Sequence, residues 1–126
     1  MSGMKIFIVE DEEETRQAFV RILKRRGYDV LEASKGAEAI SIIEREKPDI
    51  IFLDIQLADN IDGMEVLRQA KQIFPQTEII MMSAYRVEYA QPARELGAYD
   101  FMQKPIVKME LLINFIEEIR KKKNLT

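Results

Sequence analysis

Five short apolar runs, each parted from the next by a stretch of helical period, restrict this chain to very few architectures. They are KIFIV (5–9), DVLEA (29–33), DIIFL (49–53), EIIMM (78–82) and YDFMQ (99–103). The first, third and fourth are almost continuously apolar, as strands of a parallel sheet covered on both faces must be. DVLEA and YDFMQ are more mixed and suit the edges. Strand and helix alternating five times predicts an α/β fold, a doubly wound parallel sheet with right-handed crossovers. The 126 residues fit a single domain over 1–126.

The intervening segments carry helix signals. Ala18, Phe19, Ile22 and Leu23 recur at helical spacing, with Asp11 and Glu14 spaced as a capping box and Gly27 as a stop. Ser34 is a candidate cap for a second helix bearing Ala39, Ile40 and Ile43, which Lys47 ends ahead of Pro48. A third helix after Gly63 carries Met64, Val66, Leu67, Ala70 and Ile73. The last carries Met109, Leu112, Ile113, Ile116 and Ile119. Between Ser83 and Gly97 the presence of Pro92 predicts a short, weak fourth helix.

Composition excludes several chemistries. There is no cysteine and no histidine, which removes disulfides, zinc-thiolate sites, thiol nucleophiles, histidine-based triads and any histidine phosphocarrier. Carboxylates, hydroxyls and lysine are left. The net charge of -3, with no basic stripe beyond IRKKKN at the C-terminus, argues against direct nucleic-acid binding. That basic run is the expected cationic end of a helix. No apolar run is long enough for a membrane span and no signal-peptide layout opens the chain, so a cytoplasmic location is expected. Residues 121–126 read as a polar tail. MSG before Met4 resembles a cloning remnant.

In doubly wound sheets the ligand crevice lies off the carboxyl ends of the strands, where strand order reverses. The residues leaving the strands there are Glu10, Asp11 and Glu12 after the first, Asp54 after the third, Ser83 after the fourth and Lys104 after the fifth. Several carboxylates at one crevice suit a hard divalent cation, and Mg²⁺ prefers one or two carboxylates plus waters and a phosphate oxygen. Glu13 and Glu14 need no such explanation, because negative charge in a first helical turn is favourable by roughly 0.3–1 kcal/mol. Singly, a strand-end aspartate or a Lys-Pro pair is often a turn. Four strands each supplying a fitting polar group to one edge is a stronger pattern.

IFIVEDEEETR, PDIIFLDIQL, DGMEVLRQ, IIMMSAY and LGAYDFMQKPI resemble, in order and spacing, the signatures of the response-regulator receiver domain, also called CheY-like, from Lys5 to about Arg120. The resemblance implies a flavodoxin-like (βα)5 fold with strand order 2-1-3-4-5. It implies that Asp54 is the phosphoacceptor for a partner histidine kinase or histidine phosphotransferase. Asp11, Asp54 and the Gln56 backbone carbonyl would hold Mg²⁺ (or Mn²⁺), and Glu10 would act through a bound water. Lys104 would pair with Asp54 at rest and with the phosphoryl oxygens afterwards. Ser83 and Phe101 would be the switch residues, and Gln56 and Tyr85 would tune phosphoryl lifetime. The Lys104–Pro105 bond is commonly cis in such domains.

The implied output is a reshaped face made by helix four, strand five and helix five. That face would meet a downstream protein, a missing output domain, or a second copy in a phosphorylation-dependent dimer. Leu111 and Phe115 lie beside the core stripe of helix five and either extend that face or widen the core contact. A full switch requires ~5.5 kcal/mol of differential stabilisation. No output domain follows Arg120, so the sequence reads as a stand-alone receiver or one excised from a longer regulator. It is read as a signalling receiver that assists only its own phosphorylation and dephosphorylation, not as an enzyme.

The sequence departs from the family pattern in places. Ala58 stands where a proline is usual, and Gly63 lies one residue later than the usual glycine, so the loop after Asp54 carries an extra residue. Glu10 replaces the commoner aspartate, and Phe101 stands where many members have tyrosine. A receiver-like interaction module that is never phosphorylated is the main rival. A haloacid-dehalogenase-type phosphohydrolase requires a second aspartate where Gln56 stands. A flavodoxin-like cofactor binder needs a phosphate-cradling loop where EDEEE would repel one.

Overall fold

A computed structural model describes residues 4–106 and 108–123. Expectations for residues 1–3, and for 124–126 of the tail, lie outside the described residues. The elements run β1 (Lys5–Val9), α1 (Glu13–Arg25), β2 (Asp29–Ala33), α2 (Gly36–Glu46), β3 (Ile50–Asp54), α3 (Gly63–Ile73) and β4 (Glu78–Ser83). A short 3-10 turn (Val87–Tyr89) leads into α4 (Ala90–Glu95), followed by β5 (Asp100–Gln103) and α5 (Glu110–Lys122). All strands are parallel, in the order β2-β1-β3-β4-β5. The expected order and both edge assignments hold.

Alternation along the strands divides the core in two. Phe7, Val9, Ile51, Leu53, Ile79 and Met81 face α2, α3 and α4, while Ile6, Ile8, Ile50, Phe52, Ile80 and Met82 face α1 and α5. Each of these side chains is fully buried and contributes roughly 1.5–3 kcal/mol relative to exposure. That double coverage explains why the three inner strands read as unbroken apolar runs.

Several local expectations shift. β3 starts at Ile50 and includes Asp54, whose Cα partner is Met82, and β4 includes Ser83. Both polar residues are thus held by the sheet ladder, not by the loops beyond it. The Asp11–Glu14 capping box does not form: Glu12 is the N-cap of α1 and its carboxylate accepts from the Thr15 hydroxyl. Asp11 belongs instead to the acidic group at the strand ends. The α1 stripe is centred on Arg16, Phe19, Val20 and Leu23, with Ala18 and Ile22 at its margin.

Ser34 does not cap α2. Lys35 is the N-cap, without a side-chain bond, and Lys47 ends the helix at φ +48°. For α3 the cap is Asp62, whose Oδ1 accepts from Glu65 N at 3.0 Å. The fourth helix is short, as expected, with Pro92 in its first turn, where its missing N–H leaves no bond unmade. On α5, Phe115 turns to the core and meets Tyr99 edge-on at 6.2 Å, whereas Leu111 is 48% exposed. The helix continues to Lys122, so Lys121 and Lys122 form its last turn and not a tail.

Candidate functional site

At the carboxyl end of β1 the chain turns sharply over a buried acid. Glu10 N donates to Ala33 O at 3.0 Å, prolonging the strand, while the Glu10 side chain is fully buried. One carboxylate oxygen accepts from Glu12 N at 3.1 Å. Arg16 clamps this turn: its Nη1 donates to Glu10 O at 2.9 Å, its Nε to Glu32 Oε1 at 2.8 Å, and its Nη2 to Glu13. A guanidinium, with five fixed donors, can serve three acceptors at once.

The end of β3 brings Asp54, 4% exposed, beside Glu10. Gln56 N donates to Asp54 Oδ1 at 3.3 Å. From β5, Lys104 N donates to Ser83 O at 2.9 Å, and the following Lys104–Pro105 bond is cis. The ammonium of Lys104 then bridges Glu10 Oε1 at 2.8 Å and Asp54 Oδ2 at 3.0 Å. Carboxylate oxygens of Glu10, Asp11 and Asp54 lie within 4.8 Å of one another, Asp11 on the exposed side.

Three acids around one cation leave the group electrostatically unbalanced. Burial, then the charge and hydrogen bonding of Asp54, push Glu10 above the usual carboxylate range despite Lys104. Asp11 is pushed up by burial and by its neighbour Glu10. Burial alone would lower Lys104, but its bonds to Glu10 and Asp54 reverse that and raise it. One cation among several anions gains while the anions lose. Such a cluster has the donor set and spacing for a hard divalent ion: carboxylate oxygens from two strand ends, open to solvent through Asp11.

Glu10, Asp11, Asp54 and Lys104 are therefore gathered as anticipated. Ser83 is at the same sheet edge and buried, but its Oγ accepts from Tyr85 N at 3.3 Å and Arg86 N at 3.0 Å. Its hydroxyl is engaged in the turn after β4, not with the acids. Gln56 and Tyr85 are exposed at the rim, Tyr85 to 82%. Phe101 lies lower, half-buried and packed against the cluster shared with α3 and α4. Beside Lys104 is a groove of about 660 Å³ lined by Glu12, Thr15, Phe19, Tyr85, Pro105 and Met109.

The longer loop after Asp54 is accommodated without disturbing the strand end. Gly63 N donates to Ile55 O at 2.7 Å, and a Cβ on Gly63 would lie 2.1 Å from Asp54 O. Only glycine permits that approach. Two residues that sequence reasoning passed over matter here. Arg16 could have been suspected, since it occupies a core position in the 16, 19, 20, 23 stripe of α1. Asp59 had no local signal: both of its oxygens reach the start of α2, accepting from Gly36 N at 2.9 Å and Ala37 N at 3.0 Å.

Residues 6–117 match the family model for the response regulator receiver domain. The chain belongs to the response-regulator receiver family. Its sequence is 44% identical over 111 residues to the alkaline phosphatase synthesis transcriptional regulatory protein PhoP of Bacillus subtilis, covering 85% of this chain and 45% of PhoP. The receiver thus spans under half the length of that relative. With sporulation initiation phosphotransferase F of the same organism it shares 33% identity over 106 residues, covering 83% of this chain and 85% of the other. The receiver domain of NtrX from Brucella abortus superposes with a TM-score of 0.85 at 32% identity, covering 92% of this chain and 98% of that one. A CheY-like receiver from Methanospirillum hungatei gives 0.88 at 27% identity, covering 96% and 97%. The match places the chain among two-component signalling modules. Among the described residues, no helix is long and apolar enough to cross a membrane.

Proposed function

We propose that this domain captures a phosphoryl group on Asp54 from a partner histidine kinase or phosphotransferase, with Mg²⁺ held by Asp11, Asp54 and the Gln56 carbonyl. The observation that carries the reading is the Lys104 ammonium bridging Asp54 and Glu10 within a group of three carboxylates. An anion cluster with two of its three acids buried, short of one divalent charge, is costly as a structural feature and useful as a receptor. Carboxylate charges about 4 Å apart repel by roughly 4 kcal/mol in partly screened surroundings. A bound Mg²⁺ would neutralise charge on the transferring phosphoryl group and favour its in-line displacement.

The chain's own residues supply the rest. A carboxylate oxygen of Asp54 attacks phosphorus, the bond from phosphorus to the donor nitrogen or oxygen breaks, and an acyl phosphate remains on Asp54. Lys104, already at 3.0 Å from Asp54, transfers its hydrogen bond to a phosphoryl oxygen. Glu10 remains as the second anchor of that ammonium at 2.8 Å and as an outer partner of the cation. Ser83 exchanges its place in the turn for a hydrogen bond to the phosphoryl group, and Phe101 follows into the space this opens. The face of α4, β5 and α5, including exposed Leu96 and Leu111, then presents a changed surface to a downstream protein or to a second copy. Gln56 and Tyr85, at the rim, set access of water to the acyl phosphate and hence its lifetime. The described elements, packed on one sheet, act as one unit in the cytoplasm.

Incubation of the protein with Mg²⁺ and acetyl phosphate, followed by intact mass measurement, tests this. One added phosphoryl group is expected on the wild type and none on Asp54→Asn. An unlabelled wild type, under conditions that label a control receiver, overturns the reading in favour of an unphosphorylated interaction module.

A further inference from the structure

The loop from Ile55 to Asp62 is tied to the body at two places. Its foot is closed by the Gly63 N to Ile55 O bond of 2.7 Å. Its tip is tied by Asp59, whose two carboxylate oxygens each take one amide from the first turn of α2. That helix has no side-chain cap of its own, since Lys35 supplies none. The contact is built on both sides. A Cβ on Gly36 would stand 2.3 Å from Ile61 O, so α2 keeps a glycine where the loop backbone rests on it. The amides of Ala37 and Gly36 hold the Asp59 carboxyl below its usual range. Leu57 and Ile61 pack, half-buried, against the hydrophobic cluster below. Such apolar contacts fix the depth of a loop but not its register along a helix, whereas two directional hydrogen bonds fix register.

We propose that Asp59 is a positioning residue for the cation site: by capping α2 it holds the one-residue-longer loop in register, and so holds the backbone at Gln56, whose N–H donates to Asp54 Oδ1 at 3.3 Å, beside Asp54. This rests on the function proposed above, and it extends to a residue three positions beyond Gln56 that touches neither cation nor phosphoryl group. The longer loop has the slack to drift, and Asp59 takes that slack up.

The test separates capping from positioning. Asp59→Ala removes both. Asp59→Ala combined with Lys35→Ser gives α2 a cap of its own at an exposed position with extended backbone (φ -129°, ψ 151°), restoring the helix without the tie. In the full chain, Mg²⁺ affinity by calorimetry, thermal melting, and amide exchange over 55–62 are compared. Asp59→Ala is expected to weaken Mg²⁺ binding about tenfold, the lower end of the cost of losing an outer-shell partner, and to speed exchange in the loop. The double variant should recover the melting temperature but neither the affinity nor the protection. Wild-type Mg²⁺ affinity in either variant overturns the inference alone. A wild type that binds no Mg²⁺ overturns it together with the cation site on which it rests.

Discussion

The two ends of the sheet carry the same kinds of charged group in opposite balance. At the amino end, Lys5 donates to the Glu46 carboxylate and carbonyl, both at 3.1 Å, and Lys122 meets Glu78 at 2.5 Å. Lys71 donates to the carbonyls of Pro75 and Thr77 at 2.8 and 2.7 Å, and Lys123 to that of Gln76 at 2.6 Å. Surplus cations there find backbone oxygens, and the edge is closed. At the carboxyl end three acids cluster about one ammonium, and the amides that reach them, Glu12 N on Glu10 and Gln56 N on Asp54, leave the excess negative charge in place. The spare lysines of the amino end are solvated by carbonyls, whereas the surplus carboxylates of the carboxyl end fit an external cation.

Removing the central cation should break this contrast most. Lys104→Met leaves Glu10 and Asp54 facing each other without a counter-charge and is expected to cost about 3 kcal/mol, the lower end for a broken buried pair because the ammonium keeps some solvent contact. Denaturant unfolding of the metal-free protein measures it, and labelling by acetyl phosphate should fall with it. Next comes the cation itself. At ten times its dissociation constant Mg²⁺ should stabilise the native state by ~1.4 kcal/mol, read as a rise in melting temperature that Asp11→Asn diminishes.

Glu10→Gln sharpens the comparison through pH. Because burial raises Glu10 above its ordinary value of 4.5, its contribution to stability is fully present below that value and is lost as pH rises through the folded pKa. Metal-free Glu10→Gln should therefore melt higher than wild type at neutral pH. The gap should close as pH falls toward 4.5, and melting curves across pH 4–8 would show it. The smallest effect belongs to the closed end. Lys122→Met removes a pair whose lysine is more than half exposed and should cost under ~0.5 kcal/mol, with no change in Mg²⁺ affinity.

What the sequence disclosed follows the range of the forces involved. Unbroken apolar runs at β1, β3 and β4 reported double burial, and the mixed runs of β2 and β5 reported edges. Glu10, Asp11, Asp54 and Lys104 were legible because strand ends in this topology converge on one edge. Helix starts were less so. Caps depend on which acceptor reaches the first turn in space, so Glu12 displaced Asp11 at α1, and Asp59, more than twenty positions away, stood in for Ser34 at α2. Arg16 was hidden for a related reason: a charged residue at a core position makes sense only once its three acceptors are seen.

Glu10 and Lys104, joined at 2.8 Å, stand 94 positions apart along the polypeptide. The pocket accordingly has no precursor in any fragment: it comes into being only when the first strand and the last have both joined the sheet. On the proposed function, a nascent molecule lacking either strand would lack the Lys104–Glu10 anchor beside Asp54, so phosphoryl capture would await the complete sheet.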